Sequence, residues 1–239
     1  MNSPLHLARI GAVATVGLLA FSACGSQTVR NEAHPGAAVV VGKQQIALDA
    51  VDDLTQRYCD LYLKANGDQA SALPLQVLRN DSVQLLTDAE VARQYAAAEE
   101  LDVQGVRSWL MQQSDDAAAQ YGLSGRELKD FAQISARVDT QAVYLAAGGQ
   151  NGPVVDQAAA QQALAVGQRK VQQWADGLEI ERDPRFAPAT AEGYHFNAGS
   201  LAEPVSQIAK AIEAYNGTEQ PDSAYVDALP AAQKCAPTA

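Results

Sequence analysis

Histidine is nearly missing from this chain of 239 residues: it occurs three times, at positions 6, 34 and 195. No Ser-His-Asp or Cys-His set can be assembled around so few imidazoles. His195 stands alone in a loop-like stretch and reads as a solvated residue. Cys-x-x-Cys, His-Glu-x-x-His and EF-hand spacings are also missing, so no metal and no cofactor is expected. The 17 Lys and Arg are outnumbered by 28 Asp and Glu, and they do not cluster. A net charge of -11 speaks against a nucleic-acid partner and against direct docking on anionic lipid. The carboxylate pairs Asp52/Asp53, Glu99/Glu100 and Asp115/Asp116 are adjacent, so they diverge on a helix and read as solvated faces. Gly148-Gly149-Gln150-Asn151-Gly152 follows a helical pattern and lacks Gly-Lys-[Ser/Thr], so it reads as a helix stop rather than a phosphate loop. The expectation is a protein that is not an enzyme.

Long hydrophobic runs are missing too. The longest, Ile10 to Phe21, is about a dozen residues, short of the roughly 20 that a spanning helix needs. A short n-region, Met1 to Arg9 with one Arg, precedes it, and it leads into Phe21-Ser22-Ala23-Cys24-Gly25. This resembles a bacterial lipoprotein signal peptide, with Phe21 where Leu is usual. The resemblance implies removal of residues 1–23, lipidation of Cys24 (the palmitate type of anchor) and residence at the extracytoplasmic face of the cell membrane. An ordinary secretory signal cut near Ala23 is the alternative. Residues 24–36 are polar and without period, a tether with a reach of roughly 20 Å. Two further cysteines remain, Cys59 and Cys235. In a chain that reaches an oxidising compartment they are expected to pair as a disulfide, the alternative being two buried thiols.

Aromatic residues make up 6% of the chain, against 47% for all hydrophobic types. Much of the latter is Ala, so the core is expected to form by close helix-on-helix approach. The predicted fold is mainly α: a helical bundle with a small antiparallel β element. Ala37–Val41 reads as a strand, Gly42-Lys43 as a II′ turn and Gln44–Ile46 as the returning strand. From Asp49, which can cap, Val51, Leu54, Tyr58, Leu61 and Tyr62 recur at helical spacing until Asn66-Gly67 stops them. Cys59 flanks that stripe, within reach of a segment lying over the helix. A second helical stretch runs from Pro74 to about Leu101, and the capping-box pattern at Thr87–Glu90 allows a break into two helices. Further helices are expected over about 105–121, from Ser124 to Gly148, from Pro153 onward, and around Val205–Tyr215. Leu178–Glu181 alternates like a short strand near 178–182 that can pair with the hairpin.

The run Ala37-Ala38-Val39-Val40-Val41-Gly42, followed by Ile46 and an acidic-started helix, resembles the opening of the SurA N-terminal domain. That opening is shared by the SurA, PpiD and PrsA families of envelope chaperones. The helix ending Ala92-(three)-Ala96-(four)-Leu101-Asp102-Val103, and the stretch from Gly167 through Trp174 to Asp183-Pro184-Arg185-Phe186, are similar to that family's second and closing elements. Ser200-Leu201-Ala202-Glu203-Pro204-Val205-Ser206 and the ending Leu229-Pro230-Ala231-Ala232-Gln233-Lys234-Cys235 resemble segments in a group of lipoproteins from high-GC Gram-positive bacteria. Residues 37–239 would then be one SurA-like helical domain with a C-terminal extension. No parvulin-type isomerase domain interrupts the helices. The resemblance therefore implies a chaperone-like, polypeptide-binding role without isomerase activity.

Asp183-Pro184-Arg185-Phe186 admits two readings. In the structural one, Arg185 pairs with a helix carboxylate and Phe186 plugs the core. In the functional one, Arg185 and Phe186 form the lip of a peptide groove. The expected partners are unfolded or extended polypeptide clients. The alternative is a structural lipoprotein with one dedicated envelope protein as partner.

Overall fold

A computed structural model describes residues 35–120, 122–123, 127, 136–183, 185–186, 189–190, 193–194 and 223–237. Cys24, most of the tether, most of the stretch expected to start a helix at Ser124, His195 and the helix expected around Val205 lie outside them. In chain order the elements are β1 (Ala37–Val41), β2 (Gln44–Ala47), α1 (Leu48–Asn66), β3 (Leu73–Pro74), α2 (Leu75–Ala98), α3 (Gln104–Gln120), α4 (Ala136–Ala147), α5 (Gln157–Ala175), β4 (Ile180–Arg182), β5 (Ala189–Thr190), β6 (Gly193–Tyr194), α6 (Ser223–Ala228) and β7 (Lys234–Cys235). The described chain is mainly helical with a little antiparallel sheet, as the periodicity predicts.

The hairpin forms where the apolar alternation and Gly42 place it. Gly42 takes φ 59° while Lys43 keeps an ordinary φ, the combination a II′ turn requires. Val39 lies opposite Ile46, and Val41 opposite Gln44. On the other side of β1, β4 pairs antiparallel, with Val39 opposite Arg182 and Val41 opposite Ile180. The sheet order is β2-β1-β4, so the expected strand near 178–182 does join the hairpin, one or two residues later than its alternation suggests.

Helix α2 is the centre of the bundle. Every residue from 72 to 92 is buried or half-buried, because α1, α4, α5 and β1 all pack on it. The principal core joins Val39 and Val41 of the sheet, Val51 of α1, Val83, Val91 and Tyr95 of α2, Val143 of α4, Val171 of α5 and Phe186. Tyr95 meets Trp174 edge to face at 5.8 Å.

Helices α4 and α5 run antiparallel and touch backbone to backbone. Gly167 lies over Tyr144, and Gly148 over Ala163. These pairs step by four residues in opposite directions, so each side sets one glycine against the backbone of the other. The abundance of alanine and the Gly167 on the apolar face are the sequence origin of this approach.

Three helix boundaries differ from expectation. There is no break at Thr87: its hydroxyl donates to the Val83 carbonyl at 2.7 Å, satisfying itself inside an unbroken helix. Asp49 does not cap α1; the helix starts at Leu48, and Asp49 sits in its first turn. Pro153 does not open α5. Asp156 does, its side chain accepting from the backbone N–H groups of Ala158 and Ala159 at 2.9 and 3.2 Å. The stop at Asn66-Gly67 is as expected, with Gly67 at φ 50° and its N–H donating to Leu63.

Cys59 and Cys235 are joined by a disulfide, their Cα atoms 5.5 Å apart. It ties the end of the described chain to α1, where β7 pairs with β3 through Leu73–Cys235 and Pro74–Lys234.

Candidate functional site

Gln76, Asn80, Gln84 and Asp88 recur every fourth residue and form one polar row along α2. Within the row, Gln76 Nε2 donates to Asn80 Oδ1 at 3.2 Å, and Gln84 Nε2 to Asp88 Oδ1 at 2.6 Å. Strand β4 and the turn behind it lie across the row. The Arg182 guanidinium donates to Gln84 Oε1 at 2.7 Å, and Gln76 Nε2 to the Arg185 carbonyl at 3.3 Å.

Asp183 builds the turn. Its N–H donates to the Ala38 carbonyl at 2.9 Å, which holds the strand end on β1. Its carboxylate accepts from the Arg185 backbone N–H and from the guanidinium Nε and Nη2, at 2.9, 2.9 and 2.6 Å. This charge-assisted bond to Arg185 pulls the Asp183 pKa below its ordinary value.

The two residues read as a lip part company here. Arg185 is exposed, and its guanidinium is held by Asp183 of its own turn rather than by a helix carboxylate. Phe186 is 5% exposed and belongs to the principal core. What faces outward is Arg185 together with the start of β4, where Ile180 is 37% exposed. Gly42 N–H donates to Glu179 O at 2.8 Å and Asp183 N–H to Ala38 O, so Glu179, Glu181 and Asp183 direct their backbone groups at β1. The backbone groups of Ile180 point the other way, away from β1.

At the far end of the row, burial pushes the Asp88 carboxyl above its ordinary pKa. The hydrogen bond from Gln84 and the charges of Arg182 and Arg137 oppose that shift without cancelling it. Burial also raises the Tyr144 hydroxyl, helped by the Asp88 charge. Asn80 Nδ2 and Thr140 Oγ1 are buried and have no hydrogen-bond partner among the described residues. The row is thus polar, mostly self-satisfied and held inside the bundle. Among the described residues no group of His, Cys, Asp and Glu is placed to hold a metal, and no helix is long and apolar enough to cross a membrane.

Of the residues singled out by sequence, Arg185 and Phe186 meet at this turn. Cys59 and Cys235 meet at the disulfide, and Cys24 lies outside the described residues. Gln84, Asp88, Tyr144 and Arg182 escaped the reading of the sequence. For Gln84 and Asp88 the signal was the strict four-residue repeat of amide and carboxylate side chains on α2, masked by the apolar stripe of Leu75, Leu78 and Leu85; Tyr144 and Arg182, on other elements, carried none.

Set against known proteins, the chain matches no family model, no curated protein and no solved structure.

Proposed function

We propose that this is a lipid-anchored, non-enzymatic module of the SurA N-terminal-domain type, which binds extended or unfolded polypeptide at the extracytoplasmic face of a bacterial membrane. It has no isomerase activity. The observation that carries the binding role is Ile180, 37% exposed on β4, the last strand of its sheet among the described residues, with Arg185 exposed beyond the strand. An extended segment laid beside Ile180 makes backbone contacts as well as side-chain ones, so binding tolerates many sequences. Ile180 supplies an apolar contact. The net charge of -11 disfavours acidic segments and favours neutral or basic ones. The buried Cys59–Cys235 disulfide supports an oxidising compartment, and Cys24 supplies the attachment.

The test is suppression of aggregation of an unrelated unfolded protein at near-stoichiometric amounts. The Ile180→Lys variant keeps its helical circular dichroism and suppresses less. No suppression by the wild-type chain would refute the chaperone-like role. Crosslinking in intact cells then separates many captured clients from a single envelope protein that survives washing, the mark of a dedicated partner. Intact-mass analysis reads the anchor directly: loss of residues 1–23 with acyl groups on Cys24.

A further inference from the structure

We propose that residues 223–237 form a strap latched by the Cys59–Cys235 disulfide, and that reduction by a dithiol releases the strap while the helical body stays folded. The strap consists of α6, a short 3-10 turn at Ala231–Gln233 and β7. Several of its hydrogen bonds are internal. Leu229 N–H donates to Val226 O, Gln233 N–H to Pro230 O, and Lys234 Nζ to Asp227 O. It can therefore keep local structure when it leaves. Among the described residues, the ladder that ties its backbone to β3 is two residues long, and one of the two partners there, Pro74, has no N–H to give.

The strap joins a separate apolar cluster through Cys235. Cys59, Leu78 and Cys235 are buried in it, with Tyr58, Tyr62, Leu63, Leu73 and Leu75 packed around them. It is distinct from the principal core centred on Val39, Val83 and Val143. Opening the strap uncovers this cluster and leaves the other covered.

The chemistry is a two-electron exchange. One thiolate of the dithiol attacks a sulfur of the bridge, breaking the Cys59–Cys235 bond and forming a mixed disulfide. The second thiol of the reductant displaces the protein sulfur. The reductant ends as its own disulfide, and Cys59 and Cys235 end as thiols, having taken up two electrons and two protons. Cys235 is 0% and Cys59 4% exposed, so attack waits on a transient opening of the strap. The bridge is gated by the segment that it latches.

The test is amide hydrogen exchange on the full chain, oxidised and after treatment with dithiothreitol, with a Cys59→Ser/Cys235→Ser double variant alongside. Reduction is expected to speed exchange in residues 226–235 by at least about tenfold, while α2, α4 and α5 change by less than about threefold. A dye that reports apolar surface should gain fluorescence in the reduced protein, and the Tyr95–Trp174 environment should not move. Two results would overturn the proposal. Retained protection in 226–235 means that side-chain packing alone holds the strap. Loss of protection in α2, α4 and α5 along with it means that the bridge staples the whole fold. If the double variant does not fold, the reduced wild-type protein gives the same readout, because it starts from the folded state.

Discussion

Replacing Gly167 with alanine puts a methyl group where the backbone of a neighbouring helix already is. A Cβ built on Gly167 stands 2.6 Å from the Tyr144 carbonyl carbon and 2.9 Å from its Cα, and it overlaps the carbonyl oxygen more closely still. Carbon atoms in contact sit at about 3.5–4.0 Å, so α4 and α5 must move apart by about 1 Å. Neither partner is a side chain that can swing away. Overpacking costs about 1–3 kcal/mol, and a clash with rigid backbone belongs at the upper end. Alanine returns about 1 kcal/mol through helix propensity. The balance is a loss of about 2 kcal/mol, or about 4–8 °C in melting midpoint for a chain of this size. Urea unfolding under non-reducing conditions measures it, with Gly152→Ala as the reference. Nothing lies within 4 Å of a Cβ at Gly152, so that change should be neutral or stabilise by up to about 1 kcal/mol. A Gly167→Ala protein as stable as the wild type, or more so, would mean that propensity alone governs the site and that the helices do not touch there.

Other perturbations separate the parts of the candidate site. Phe186→Ala should cost about 3–5 kcal/mol in urea unfolding, whereas Arg185→Ala should leave the midpoint unmoved, because only a surface ion pair is lost. Asp156→Ala should lower stability by about 1 kcal/mol, since two N–H groups at the start of α5 lose their acceptor. Asp88 titrates higher in the folded chain than in the unfolded one, so the native state binds the extra proton, and stability falls as pH rises from the ordinary carboxylate range through the folded-state pKa. Asp88→Asn keeps an oxygen to accept from Gln84 and removes the charge. It should flatten that part of the pH–stability curve and stabilise the protein at pH 7, with the gain vanishing below about pH 3.9; a variant less stable at pH 7 would refute the role of burial.

The features that sequence announced are those fixed by backbone stereochemistry or by covalent arithmetic. Gly42 and Gly67 sit where a positive φ is needed, and a reader of residues alone can place the hairpin turn and the end of α1 from them. Two cysteines left after Cys24, in a chain whose start reads as an export signal, are expected to pair, and they are bonded. The features that sequence misplaced are contests between equivalent local groups. Thr87-Asp88-Ala89-Glu90 has the residues of a capping box, yet Thr87 is 2% exposed in the middle of α2. With helix continuing on both sides, its hydroxyl satisfies itself on Val83, and no terminus is required. Pro153 and Asp156 both suit a helix start, and Asp156 prevails because its carboxylate reaches two unsatisfied N–H groups, whereas proline only removes one.

The turn at Asp183–Phe186 shows what neither kind of reading supplies without tertiary context. Arg and Phe side by side suit a binding lip or a core plug equally well, because the same apolar ring serves both. The choice is made by β4. The Asp183 N–H bonded to Ala38 O fixes where the strand ends, and the Phe186 N–H bonded to Asp183 O closes the turn. That geometry turns the ring into the core and leaves Arg185 outside. In the proposed binding role, contact therefore falls to Ile180 and Arg185, and the aromatic ring keeps the strand end in place.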